Sequence, residues 1–159
     1  MPEDFNSRFS SKGKVYRYLI LNAPQANPLL TKRALHIRQS LDIEAMSRAA
    51  GDMNGERDYA CFGSKTAPEE NTICDIKYVR VENIPAEPLC IPRSRLICIE
   101  VRGDRFLYKM VRTIAGTLLE IGRGRFSPED ISGIIESRDR ARAGPTLKPH
   151  GLYLVEVIY

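Results

Sequence analysis

Hydrophobic residues recur at three- and four-residue steps through the stretch from Phe106 to Arg123. Leu107, Met110, Val111, Ile114, Leu118 and Ile121 carry the spacing of one helix face. Lys109, Arg112, Thr113 and Glu120 fall on the other side, and Gly116 lies one turn after Arg112 on that polar flank. Glycine costs a helix roughly 1 kcal/mol relative to alanine. It is best tolerated where something must approach the helix closely. Arg112 stands in an otherwise apolar run, and its planar guanidinium suits bidentate pairing with a carboxylate or phosphate. The alternative is an arginine whose stem lies on the core and whose head reaches water.

The rest of the pattern mixes short strands and helices without the regular alternation of a doubly wound parallel sheet. Residues 15–22, VYRYLILN, predict a strand with Val15, Arg17 and Leu19 on one face and Tyr16, Tyr18 and Ile20 on the other. The basic, proline-containing stretch 25–39 reads as a long connection of poorly defined structure. Asp42 is placed to cap a helix to about Met53, with Ile43, Met46, Ala49, Ala50 and Met53 facing inward. Residues 72–83 and 95–102 alternate as strands. In the first, Ile73, Asp75, Lys77 and Val79 are expected on one face, and Cys74, Ile76, Tyr78 and Arg80 on the other. The three prolines between these strands exclude a central strand there. Ser127-Pro-Glu-Asp signals a helix start, with Ile131, Ile134 and Ile135 as its apolar stripe. Residues 152–159 form a last strand. These elements predict one α+β domain over 1–159, a mainly antiparallel sheet with helices packed on one face.

Composition narrows the picture a little. A chain of 159 residues with 43% hydrophobic and 28% charged residues has the length and balance of one globular domain with a real core. The net charge of +4 permits a polyanionic partner without requiring one. Apolar runs fall far short of the roughly 20 residues that cross a bilayer, and no charged-then-apolar leader opens the chain. Cys61, Cys74, Cys90 and Cys98 are widely spaced, which favours four reduced core thiols in a cytoplasmic protein over a metal or redox site. His36 and His150 are too few and isolated to build a metal centre. Near the start, Phe5 and Phe9 are interleaved with Arg8, Lys12 and Lys14. That mixture can bind nucleic acid, the rings by stacking and the cations by phosphate contact, and the alternative is a solvated lead-in whose phenylalanines pin it to the core.

Four segments together resemble the TruA type of tRNA pseudouridine synthase, specifically its C-terminal half. They are FNSRFSSKGKVYRYLI (5–20), GERDYACF (55–62), FLYKMVRTIAGTLLEIGRGR (106–125) and AGPTLKPHGLYLVEVIY (143–159). The resemblance implies a pseudouridine-synthase fold and an enzyme that isomerises uridines of the tRNA anticodon arm without metal or cofactor. It implies that Tyr16 stacks beneath the target base, with Tyr18 as the rival one alternation away. It further implies that Arg112 pairs with a catalytic aspartate and that Leu152 lines the uracil pocket. Arg8, Lys12, Lys14 and Arg17 become candidates for contact with the tRNA backbone, and Lys109 holds a position often histidine or asparagine in relatives. Homodimers are common in the family.

One departure counts against a complete active site. The family's essential aspartate lies in an Arg-Thr-Asp segment, and this sequence contains none. The expectation is therefore a C-terminal domain that needs an N-terminal half for activity. A non-catalytic RNA-binding or dimerisation module that retains the fold is the alternative.

Overall fold

The computed structural model describes residues 11–66, 70–84 and 94–159. Arg8, Phe5, Phe9 and Cys90 lie outside the described residues. The centre of the sheet is β1 (Gly13–Asn22), whose β-branched and aromatic run suits a strand covered on both edges. On one side it pairs antiparallel with β5 (Arg95–Gly103), which pairs with β4 (Ile73–Ile84), and β4 with β3 (Gly55–Asp58). On the other side, β6 (Leu152–Ile158) lies antiparallel along the first half of β1. There, β2 (Leu35–Ile37) lies parallel to its last three residues. The result is a six-stranded, mostly antiparallel sheet.

β2 corrects the expectation for residues 25–39. This stretch holds a 3-10 turn at Pro28–Leu30, capped by the Asn27 side chain, and then a true strand. Three residues are too few for alternation to show. The strand is fixed from β1 instead, where the Asn22 side-chain amide donates to the carbonyls of Ile37 (3.0 Å) and Gln39 (2.7 Å).

The faces of β4 also differ from strict alternation. A register shift between Ile76 and Tyr78 moves Val79 and Val81 inward with Cys74 and Ile76. Such an irregularity adds one residue and inverts the pleat beyond it.

Three α-helices pack on one face of the sheet, their apolar sides sharing one core with Tyr18, Ile20, Ile97, Ile99 and Val101. Asp42 caps α1 (Ile43–Gly51) as its position predicts, accepting from the Ala45 amide at 2.9 Å. α3 (Asp130–Ser137) starts three residues after Ser127. The serine backbone N–H donates to the Asp130 carboxylate at 2.8 Å, so the Ser-Pro signal marks the entry turn and not the cap itself.

α2 (Met110–Gly122) begins later than the hydrophobic period predicts. Leu107 continues the stripe from outside the helix, because Lys109 sits in the left-handed region at φ 65°. Ile114, Leu118 and Ile121 are fully buried against the sheet, each stabilising by roughly 1.5–3 kcal/mol. The polar flank of α2 is buried as well: Thr113 and Thr117 have no exposure and Glu120 very little. What covers the threonines is the extended segment 143–147. The Gly144 N–H donates to Thr117 Oγ1 (2.9 Å), and the Thr113 and Thr146 hydroxyls meet at 3.0 Å. Gly116 permits this approach, since a Cβ there would lie 1.8 Å from the Pro145 carbonyl oxygen. The close approach that a mid-helix glycine implies is thus by the chain's own backbone.

Candidate active-site cleft

Four segments converge on one cleft. β1 brings Tyr16, the turn into α2 brings Phe106 and Lys109, α2 itself brings Arg112, and the start of β6 brings Leu152. Together they line a cleft of about 240 Å³.

Phe106 is delivered by the Arg102-Gly-Asp-Arg turn, which is pinned to β4. The Asp104 carboxylate accepts from the Asp75 N–H (2.8 Å), and the Asp104 N–H donates to the Asp75 carbonyl (3.1 Å). The Phe106 ring then meets Tyr16 edge to face, with centroids 5.2 Å apart and planes at 87°. This is a favoured aromatic geometry, and it orients the Tyr16 ring along the cleft wall. Tyr16 is half-buried, and burial raises its phenol above the ordinary value.

Tyr18 plays a different part. It is wholly buried and its hydroxyl donates to the Lys148 carbonyl at 2.7 Å. Burial, outweighing the lowering effect of the nearby Arg112 charge, pushes its phenol up to about 12. A tyrosine so enclosed ties β1 to the segment before β6, whereas Tyr16 is the one that reaches the cleft.

Arg112 is positioned by backbone. Its Nε donates to the Leu147 carbonyl at 2.6 Å, and the Leu147 N–H donates back to the Arg112 carbonyl at 3.2 Å. None of the ion pairs among the described residues involves Arg112. The arginine is therefore not neutralised by a carboxylate of the described residues. Its stem is held and its guanidinium borders the cleft.

The remaining candidate cations are placed differently from one another. Lys109 borders the cleft, with its ammonium 5.0 Å from the centroid of the Tyr108 ring. Lys12 is exposed just before β1, and Lys14 lies on that strand, two residues from Tyr16. Arg17 points to the opposite face of the sheet and pairs with Glu100 at 2.6 Å. Burial raises the Glu100 carboxyl, but the hydrogen bonds from Arg17 and Tyr78 outweigh it and hold the group below its ordinary value.

Sequence reasoning did not single out Phe106 as a cleft residue. The signal was present in the position of an aromatic directly after the Arg102-Gly-Asp-Arg turn, where the helix period concealed it as one more apolar residue.

A family model described as tRNA pseudouridine synthase matches residues 49–159, which include α2, Arg112 and Leu152. The chain belongs to the tRNA pseudouridine synthase family. Among its curated relatives, the tRNA pseudouridine synthase A of Ruminiclostridium cellulolyticum is 40% identical over 159 residues, all of this chain and 62% of the relative. That of Acetivibrio thermocellus is 42% identical over 156 residues, 98% of this chain and 60% of the relative. For Halalkalibacterium halodurans the figures are 39% over 152 residues, 96% and 54%. The resemblance to the TruA type is thereby confirmed. The chain spans about three fifths of the length of these pseudouridine synthases. Within it, no described helix is long and apolar enough to cross a membrane.

Proposed function

We propose that this chain forms the C-terminal half of a pseudouridine synthase that isomerises uridine to pseudouridine in the anticodon arm of tRNA. In this reading Tyr16, Arg112 and Leu152 form one wall of the active site. The observation that carries the reading is the convergence of these three residues, from β1, α2 and β6, on a single cleft.

Each wall residue has a role suited to its chemistry. The half-buried Tyr16 ring offers a stacking face to a base taken out of its helix. Leu152 supplies an apolar contact to the same base. Arg112 is fixed through Nε, which leaves the far end of its guanidinium to hold a carboxylate by charge-assisted hydrogen bonds. That carboxylate is the catalytic aspartate, supplied by a segment outside this sequence, and it acts as nucleophile or base. It detaches the base from the ribose, and the base returns through carbon. The exposed middle of β6, with Leu154 53% and Val155 46% exposed, is where we place the contact with that segment. The working enzyme is a homodimer that acts on tRNA in the cytoplasm.

The isolated chain does not isomerise uridine. Tritium release from tRNA labelled at uridine C5 tests this. Addition of the N-terminal segment of a relative, carrying its Arg-Thr-Asp sequence, should switch release on. Turnover by the 159-residue chain alone overturns the proposal. Failure of the segment to restore turnover, with tRNA binding intact, favours the non-catalytic RNA-binding alternative.

A further inference from the structure

Tyr16 sits on an irregular piece of sheet. Val15 pairs with Glu156 of β6 but Tyr16 pairs with Leu154, so Val155 is an extra residue opposite them. A bulge of this kind re-aims the side chains beside it. Among the described residues no hydrogen bond holds the Tyr16 hydroxyl, whereas that of Tyr18 is tied to the Lys148 carbonyl. The Tyr16 ring is therefore oriented by what packs against it, and Phe106 meets it edge to face at 5.2 Å.

Phe106 is itself held from two sides. Its ring rests on bare backbone at the end of β5: a Cβ on Gly103 would lie 3.1 Å from Phe106 Cζ and 2.8 Å from Ile76 Cδ1. The main chain that delivers the ring is fixed by Asp104. Residues facing each other in an antiparallel ladder can exchange both of their backbone N–H···O bonds. Here the Asp104 N–H donates to the Asp75 carbonyl at 3.1 Å. The Asp75 N–H donates at 2.8 Å to the Asp104 carboxylate, which takes the place of a backbone carbonyl. The same oxygen accepts from the Arg105 N–H at 2.6 Å. One side chain thus completes a last rung between β4 and β5 while the main chain turns toward the cleft.

We infer that Asp104 is a positioning residue for the isomerisation. It pins the 102–105 turn, the turn seats Phe106, and Phe106 sets the angle at which the Tyr16 ring meets the target base. The inference rests on the reading of Tyr16 as the residue that stacks on that base. Asp104 is exposed and is not among the described residues that line the cleft, so it acts through Phe106. Its carboxylate serves as a hydrogen-bond acceptor, a role that an amide oxygen fills as well.

Two measurements on Asp104→Ala, Asp104→Asn and Phe106→Leu test this. In the 159-residue chain, NMR of the tyrosine rings reads the packing directly, with Tyr16 assigned by its loss in Tyr16→Phe. Removing the pin or the phenyl ring should shift the Tyr16 signal, and Asp104→Asn should return it to the parent position. In the enzyme complemented with a relative's N-terminal segment, Asp104→Ala and Phe106→Leu should lower kcat for tritium release about 10-fold. That is less than the roughly 100-fold that a 1 Å misplacement can cost. Affinity for tRNA should hold, because it rests chiefly on phosphate contacts, and Asp104→Asn should rescue kcat. Phe106 also lines the cleft, so Asp104→Ala is the deciding variant.

A role in stability alone would lower the melting temperature of Asp104→Ala without moving the Tyr16 signal or the kcat of the folded enzyme, and would overturn the inference while leaving the functional reading standing. An Asp104→Asn enzyme as slow as Asp104→Ala would assign the effect to charge and overturn the pinning. A complemented parent that does not turn over removes the functional reading, and this inference with it.

Discussion

Arg112 and Leu147 hold each other by two backbone-anchored hydrogen bonds, from Arg112 Nε to the Leu147 carbonyl at 2.6 Å and from the Leu147 N–H to the Arg112 carbonyl at 3.2 Å. The pairing makes the extended segment 143–147 part of the site's frame. In the proposed role of Arg112, a lysine would not be equivalent. A lysine has one nitrogen, which cannot both hold Leu147 and present a planar fork to a carboxylate. Arg112→Lys should therefore retain the fold, with a stability loss of about 1 kcal/mol in thermal melts, while failing to support catalysis in the complemented enzyme.

Gly116→Ala should destabilise the chain even though alanine is the better helix former. Helix propensity favours the substitution by roughly 1 kcal/mol, but the new Cβ would lie 1.8 Å from the Pro145 carbonyl oxygen. Backbone cannot swing aside as a side-chain tip can, so the net loss should be about 3 kcal/mol, the upper part of the overpacking range. Gly144→Ala should act in the same direction, since its Cβ would lie 2.6 Å from the Thr117 backbone. Denaturant unfolding reads both, and a stabilised Gly116→Ala would contradict the packing.

Tyr18→Phe separates the structural tyrosine from the cleft tyrosine. Loss of the bond to the Lys148 carbonyl should cost about 1 kcal/mol at neutral pH. The wild-type phenol, raised to about 12 chiefly by burial, keeps its proton above the pH at which the unfolded chain releases it. Stability from this group is therefore present below about pH 10 and lost as pH rises toward 12. The phenylalanine variant should show an alkaline stability slope shallower by about one proton. An unchanged slope would show that Tyr18 is not enclosed as described.

Glu120 links the end of α2 to the following turn. Its carboxylate accepts from Arg123 and Arg125, each at 2.8 Å. Burial raises the carboxyl, but the two arginines outweigh it and hold the group below its ordinary value. Its contribution is thus present above the unfolded carboxyl range near 4.3 and is lost as pH falls below that. Glu120→Gln should cost about 2 kcal/mol at pH 7. It should also flatten the acid limb of the stability curve.

Much of this was readable from residues alone, and the gaps have physical causes. The strands of β1 and β5 and the core stripe of α2 follow from periodicity because each is long and faces one core, whereas β6 is legible from its β-rich run although most of it is exposed. β2 was not legible because three residues carry no period, and its pairing depends on an asparagine one strand away. The α2 start was misplaced because Leu107 fits the helical period while the left-handed Lys109 breaks the helix, and a period does not register a single φ angle. In β4 the register shift near Lys77 inverted the outer half. Tyr16, Arg112 and Leu152 were found through family resemblance. Their assembly could not be read from local sequence, since they lie on three elements up to 136 residues apart in the chain. The anchoring of Arg112 by Leu147 left no mark in composition, although Gly116 signalled that something approached α2.

The central claim is that Arg112 stands ready for a carboxylate from outside this sequence, and tritium release by the complemented enzyme carrying Arg112→Gln tests it most directly. The expected result is a loss of about 100-fold in kcat, equivalent to roughly 2.7 kcal/mol, with tRNA affinity nearly unchanged and the chain still folded. A folded Arg112→Gln enzyme that releases tritium at the wild-type rate would contradict it.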